Sequence, residues 1–328
     1  MKLQKLFILI FAVLFTGNQN FAQKLKKERL VVYKYIQLPT DPLPENYKSY
    51  ILSITSEDPY IADEIYSHFN LVGFNKKKSG TSEFVIEVTD YPFQYTTKKN
   101  IRDKKVTKDG KTTVTRYYSY SYNIKYKLSS RMTNLDGEEI FSTVADISKT
   151  GRASESTSSS QAYKNCIGYI KQYKDKRAVT ATSKLNKTYN NKFGYPEKTN
   201  SLVIFKVKPK KFEYDDFEEA YNIAVEAAKI IKNDMDATGK CMEAYVPAIQ
   251  IWEKALEESD ITKKKTRVNK NVTCACYYNM GNAYLLCKNY DKAIENFNKV
   301  LDIDKKFSNT DVLLRFAKDM KRRTEANI

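Results

Sequence analysis

The side chains here that could do covalent, metal-ion or acid–base chemistry are five cysteines, one histidine and a short run of carboxylates. A structural zinc site needs four Cys or His ligands in a tetrahedral array. His68 lies far in sequence from Cys166, Cys241, Cys274, Cys276 and Cys287, and one Cys-x-Cys cannot close such a shell. No metal site and no cofactor are therefore expected. Asp215, Asp216, Glu218 and Glu219 open a helix, where the macrodipole favours anions, so they need no glycosidase-like pairing. His68 falls beside the apolar stripe of a short helix and reads as a structural residue. No glycine-rich phosphate loop and no nucleophile-elbow pattern occurs. The expectation is no catalytic residue and no enzymatic activity, with a carboxylate enzyme of the envelope as the third-ranked reading.

The cysteines have another outlet if the chain folds in an oxidising compartment. Cys274 and Cys276 are too close on one helix to pair. Cys241 opens a helix and Cys287 closes its antiparallel neighbour, which makes them the candidate disulfide.

The start of the chain argues for that compartment. Lys2 and Lys5 precede an unbroken apolar run from Leu6 to Phe15, followed by a polar stretch ending at Ala22-Gln23. This is the layout of a secretory signal peptide over residues 1–22. The run is about half the roughly 20 residues a membrane span needs. No cysteine precedes Cys166, so no lipid-modified cysteine is expected. The reading is an exported protein of the periplasm, outer membrane or cell surface, with no transmembrane segment and no lipid anchor in its mature form.

A hydrophobic content of 41% and an aromatic content of 13% indicate folded protein, long enough for two domains. The formal charge of +17 is concentrated: residues 156–213 hold thirteen Lys and Arg against three acids. For an exported chain, such an excess points to anionic cell-wall polymer or lipid surface and away from nucleic acid.

The elements that must position these groups follow from periodicity. Leu30–Leu38 and Tyr50–Ile54 read as strands. Asp58-Pro59 caps a helix carrying Ile61, Ala62, Ile65 and Phe69. Glu83–Tyr95 reads as a single strand in which Pro92 marks an edge or a bulge, followed by a basic connection containing Asp109-Gly110. Val114, Tyr118, Tyr120, Tyr122, Ile124, Tyr126 and Leu128 then alternate with polar residues, predicting a long strand with a tyrosine-lined face under a helix. Asp136-Gly137 turns into a further strand, Glu139–Ile147. A basic helical connector spans about 156–200, with Ala162, Cys166, Ile170 and Tyr173 on one side. Leu202–Val207 is expected to return to the first domain's sheet, placing a boundary near Pro209. The expectation is an α+β domain over 23–209, with an antiparallel-rich sheet and one or two helices, then an all-α module over 210–328. The α+β region is loosely similar to small α/β domains of periplasmic and outer-membrane-associated proteins.

In the helical part, Tyr277, Met280, Gly281 and Tyr284 are followed by Ala293, Phe297 and Val300 across a Lys288-Asn289-Tyr290 turn. Small residues where two helices cross and large ones along the seam are what close antiparallel packing requires. In this pattern Cys274–Asp304 resembles a tetratricopeptide repeat, departing from it at Val300 and Lys305. A degenerate repeat is read before it, with helices over Asp215–Asn233 and Pro247–Leu256 and a long connection, Asp234–Tyr245. Asn309–Arg323 reads as a closing helix. The resemblance implies a concave face for a protein or peptide partner, formed on the matched repeat by Tyr278, Asn282 and Leu285. Because about three repeats are needed to bury a continuous core, this short array is expected to dock on the β-rich domain or on itself. The reading is an interaction or scaffold protein using that groove in the envelope. The alternative is a binder of anionic envelope polymer through 156–213.

Overall fold

The computed structural model describes residues 24–208 and 212–328. The export segment 1–22 and the expected boundary at Pro209 lie outside the described residues. The described residues divide into two compact units, Leu38–Pro196 and a second made of the stretch 24–37 together with Glu197–Ala326.

In the unit Leu38–Pro196, β2 (Ser49–Thr55) leads through α1 (Pro59–His68) to β3 (Asn75–Lys77) and β4 (Phe84–Asp90), both parallel to β2. The Asp58 carboxylate accepts the Tyr60 N–H at 3.1 Å and Pro59 fills the first helical position, so α1 starts where the sequence places it. The strand expected over Glu83–Tyr95 is two strands. The chain breaks at Tyr91–Phe93, around Pro92, before β5 (Gln94–Lys108) resumes. β4 and β5 occupy successive stretches of one edge of β6 (Lys111–Asn134), and β7 (Glu139–Arg152) takes the other. The basic connection is thus largely strand: Asp109 (φ 51°) and Gly110 (φ 76°) form a two-residue turn of the type that matches strand twist.

The tyrosine-lined face divides in two. Tyr122, Ile124, Tyr126, Leu128 and Met132 are buried beneath α2 (Ser159–Asp175) and α3 (Arg177–Lys192), whereas Lys125 and Lys127 face water. Tyr120 meets Tyr163 of α2 at 5.2 Å, and Ser130 and Tyr189 share a hydrogen bond of 2.7 Å. Toward Val114 the strand leaves the helices behind. There the outer part of the β5–β6 hairpin is an exposed arm, with Ile101, Val106 and Val114 about half exposed. Residues 94–117 carry eight Lys and Arg against two acids.

The second unit corrects the course of Leu202–Val207. β8 (Glu197–Lys208) does not join the six-stranded sheet; it pairs with β1 (Lys24–Ile36) in a separate antiparallel ribbon. The ribbon therefore belongs with the helices, and the division falls at Pro196/Glu197 instead of residue 209. Its inward residues Val31, Tyr33, Leu202, Ile204 and Val207 share one core with α4 (Asp215–Asn233), α5 (Thr238–Leu256) and α6 (Lys270–Leu286). α7 (Tyr290–Ile303) and α8 (Thr310–Ala326) complete the array. The long connection expected over Asp234–Tyr245 is also corrected. α5 begins at Thr238 and carries Pro247 inside it, because Cys241, Tyr245, Ala248, Trp252 and Ala255 keep one buried stripe on both sides of the proline.

Candidate functional site: the concave face of the repeats

Asn269 and Asn289 cap α6 and α7 with their side-chain oxygens, and Lys288 adopts a left-handed backbone (φ 59°) in the turn between them. Gly281 lets the helices meet: a β-carbon there would stand 2.6 Å from the Phe297 ring. Ala293 and Phe297 are fully buried, Met280 and Tyr284 nearly so. Tyr277 is half-buried under Lys299, whose Nζ lies 5.3 Å from its ring.

The face expected to receive a partner is already covered by the β1–β8 ribbon. Phe205 of β8 packs edge-on against Tyr278 at 4.9 Å and against Phe307 at 5.0 Å. The Asn279 carboxamide pairs with the Phe205 backbone. Lys206 reaches Glu218 of α4 at 2.6 Å, and Tyr221 donates to Glu28 of β1 at 2.6 Å. Lys26 and Tyr221 together hold Glu28 below the usual carboxylate range, while the Glu28 carboxylate pushes Tyr221 up to about 12. Lys27 donates to Ser308 and Asn309 ahead of α8.

Tyr278, Asn282 and Leu285 are consequently 1%, 3% and 6% exposed, which corrects their assignment as an open groove. A short array leaves this face too apolar to stand in water, and the ribbon buries it. What stays open is a cleft between the ribbon and α8. Tyr278 and Asn282 form its floor; Tyr35 and Val203 line the ribbon side, and Val312 and Phe316 line the α8 side. Leu285 lies outside the cleft, in the core.

Two of the carboxylates at the start of α4, Asp216 and Glu218, meet cations. Asp216 and Glu258 bind Arg267, and Glu218 binds Lys206. His68 is exposed at the end of α1, its Nδ1 2.8 Å from the Glu64 carbonyl. All five cysteines are free thiols and buried, and the Cys241 and Cys287 sulfurs are 3.3 Å apart. Burial pushes Cys274 up to about 12. No helix among the described residues is long and apolar enough to cross a membrane.

In the other unit, a cavity of about 450 Å³ opens where α2 and α3 part at Lys176. Phe93, Ile124, Tyr126, Ile147 and Tyr173 give it an apolar floor; Lys149, Lys176, Arg177 and Lys184 stand around it. Arg177 also faces Asp58 at 3.6 Å, and Lys184 donates to the Asp146 carbonyl at 2.7 Å. Sequence reasoning located three of these cations within the basic segment but not the cavity, because Lys149 and most of the floor come from strands read separately.

Residues 274–307 match the tetratricopeptide repeat family, and that segment is such a repeat. No curated protein matches the chain. Among solved structures, a minor lipoprotein from Acinetobacter baumannii is similar over 47% of this chain and 98% of that chain, at 11% identity and a TM-score of 0.25. A likeness of that depth carries nothing about function.

Proposed function

We propose that this chain is an exported, non-enzymatic interaction protein of the cell envelope. In this reading its repeat module holds an extended segment of a protein partner in the cleft between its own ribbon and α8. The cleft itself carries the proposal. It has apolar walls, amide groups at its floor and rim (Asn200, Asn282, Asn309), and it lies on a repeat of a partner-binding family. Grooves of this kind recognise extended chain through pockets for side chains and polar groups for the backbone. β8 already lies on the same face in extended form, so the surface suits a strand. The export part of the reading rests on Lys2 to Ala22. Val312 is 48% exposed, so a photo-crosslinker there should capture a discrete envelope protein without unfolding the module. Val312→Asp with Phe316→Ala should weaken that partner's binding at least tenfold. Binding unchanged by the pair would overturn the assignment.

One observation favours a second reading, binding of an anionic ligand. The cavity at the α2–α3 break has an apolar floor, four cations at its rim and no acid among its lining residues. That combination suits an amphiphile with an anionic head, such as the lipid of an anionic membrane surface. Association with vesicles of anionic lipid should fall steeply with salt, and Lys149→Glu with Lys176→Glu should abolish it. Binding that is indifferent to both salt and substitution would rule this reading out.

A further inference from the structure

We infer that Cys241 and Cys287 form a disulfide when the chain folds under oxidising conditions, fastening the start of α5 to the end of α6. Cys241 is the fourth residue of α5, and Cys287 is the residue that closes α6. Their sulfurs face each other at 3.3 Å inside the helical core. A disulfide holds its sulfurs about 2 Å apart, so closure needs an approach of about 1.3 Å. Both residues sit at helix ends, where side-chain rotation with a small backbone adjustment can supply such a shift.

The pairing is selective. Cys276 lies eleven residues before Cys287 on the same helix, about 16 Å away at the helical rise. Cys274 packs with Tyr278 and Val300 in a separate cluster. Cys166 lies in the other unit, buried with Tyr122, Ala153 and Ile170. Only Cys241 and Cys287 are presented to each other among the described residues.

The link has a structural purpose at that place. α4–α5 and α6–α7 are the two helical pairs, fewer than the three or so that make a self-sufficient stack. The α5–α6 contact is the seam between the pairs, and Cys241 also meets the Ala227 carbonyl of α4 at 3.5 Å. A bond there closes residues 241–287 into a loop and removes entropy from the unfolded chain. Both sulfurs are buried in the closed seam, where an external oxidant has little access, and the neighbouring Cys241 sulfur together with burial raises the Cys287 thiol. The bond must therefore form during folding, before the seam closes.

The oxidant is a disulfide, either a small-molecule disulfide or a thiol–disulfide oxidoreductase. One chain thiolate attacks it to give a mixed disulfide and expels one thiolate. The second chain thiolate then attacks the mixed disulfide and releases the other. Two chain thiols lose two protons and two electrons, and the oxidant becomes two thiols.

The test is to refold the reduced full-length chain in reduced and oxidised glutathione, then to alkylate it in denaturant. The expected result is three alkylated cysteines, a linked peptide pair containing Cys241 and Cys287, and a Tm that drops by several degrees on reduction. Cys241→Ser with Cys287→Ser should fold, and its Tm should not respond to reductant. Five alkylated cysteines, or linkage through Cys166, Cys274 or Cys276, would overturn the inference. The compartment is drawn from the export reading, and the same count on chain recovered from its host separates the two. Three alkylations after refolding but five from the cell would support the pair and overturn export.

Discussion

The Asn279 carboxamide takes both backbone groups of Phe205. The Phe205 N–H donates to Oδ1 at 2.7 Å, and Nδ2 donates to the Phe205 carbonyl at 2.8 Å. In an antiparallel ladder the N–H and carbonyl of one residue point to the same side, alternating along the strand. Asn279 therefore serves as one rung of a missing strand along β8, and it is delivered by a helix. This is how a helical repeat holds an extended segment in register, and it also blunts an edge that could pair with another chain.

Replacing Asn279 should show what that rung contributes. Asn279→Ala leaves a donor and an acceptor of Phe205 without their partner in a partly buried place, which costs about 1–3 kcal/mol. Asn279→Asp keeps the acceptor for the N–H but sets a carboxylate against the carbonyl, and should cost at least as much. Urea unfolding of the full chain reads both. Midpoints equal to that of the parent would show that the rung adds no stability.

Two glycine substitutions should move in opposite directions. Ala at position 281 gains up to about 1 kcal/mol of helix propensity. Against this, its β-carbon would sit 2.6 Å from the fully buried Phe297 ring, and overpacking of that kind costs about 1–3 kcal/mol. Gly281→Ala should therefore destabilise. Gly168 lies exposed inside α2, and a β-carbon there would meet nothing within 4 Å, so Gly168→Ala should stabilise by about 0.5–1 kcal/mol. Thermal melts of the two variants test the contrast.

These glycines also mark where the sequence was legible. The spacing from Tyr277 to Phe297 is set within one helical hairpin, so local pattern suffices to identify the repeat. The Cys241 and Cys287 juxtaposition follows from the same antiparallel logic. The ribbon was not legible, because β1 meets β8 across more than 160 residues and an apolar run such as Leu202–Val207 fits either sheet equally well. With β8 in the six-stranded sheet, nothing would cover Tyr278, Asn282 and Leu285, so their exposure follows from that one strand's placement. Pro247 misled for a different reason. Proline is a sound sign of a helix start, but here the buried stripe continues through it.

Acid should weaken the unit Leu38–Pro196 through Glu83. The Ser49 hydroxyl and backbone N–H both donate to its carboxylate, at 2.8 and 2.6 Å, and hold it down to about 2 from an ordinary 4.5. A carboxylate with a depressed folded-state pKa contributes stability that is fully present above about pH 4.5 and lost as the pH falls toward about 2. Glu83→Gln should lower stability at neutral pH and flatten its decline across that window. A variant whose stability falls with acid as steeply as the parent's would show that Glu83 does not carry the dependence.

The β5–β6 arm should be dispensable for folding and important for charge. Beyond Ile101 and Tyr118, which oppose each other in register, the hairpin packs against neither α2 nor α3. Its ion pairs are exposed: Arg116 with Asp103 at 2.8 Å and Arg102 with Glu155 at 2.6 Å. Solvent-screened pairs like these add little to stability. Six lysines (98, 99, 104, 105, 108 and 111) are in no ion pair among the described residues, so the arm carries an uncompensated positive field into solvent. Replacing residues 102–117 with Asn-Gly keeps the Ile101–Tyr118 register and supplies a compatible turn. The shortened chain should unfold within about 1 kcal/mol of the parent. Its association with anionic vesicles at low salt should weaken about tenfold, and the difference should vanish as salt screens the lysines over less than about 8 Å. A large loss of stability would mean the arm is packed in solution. Unchanged vesicle association would show that Lys104, Lys105, Lys108 and Lys111 contribute nothing to anion binding.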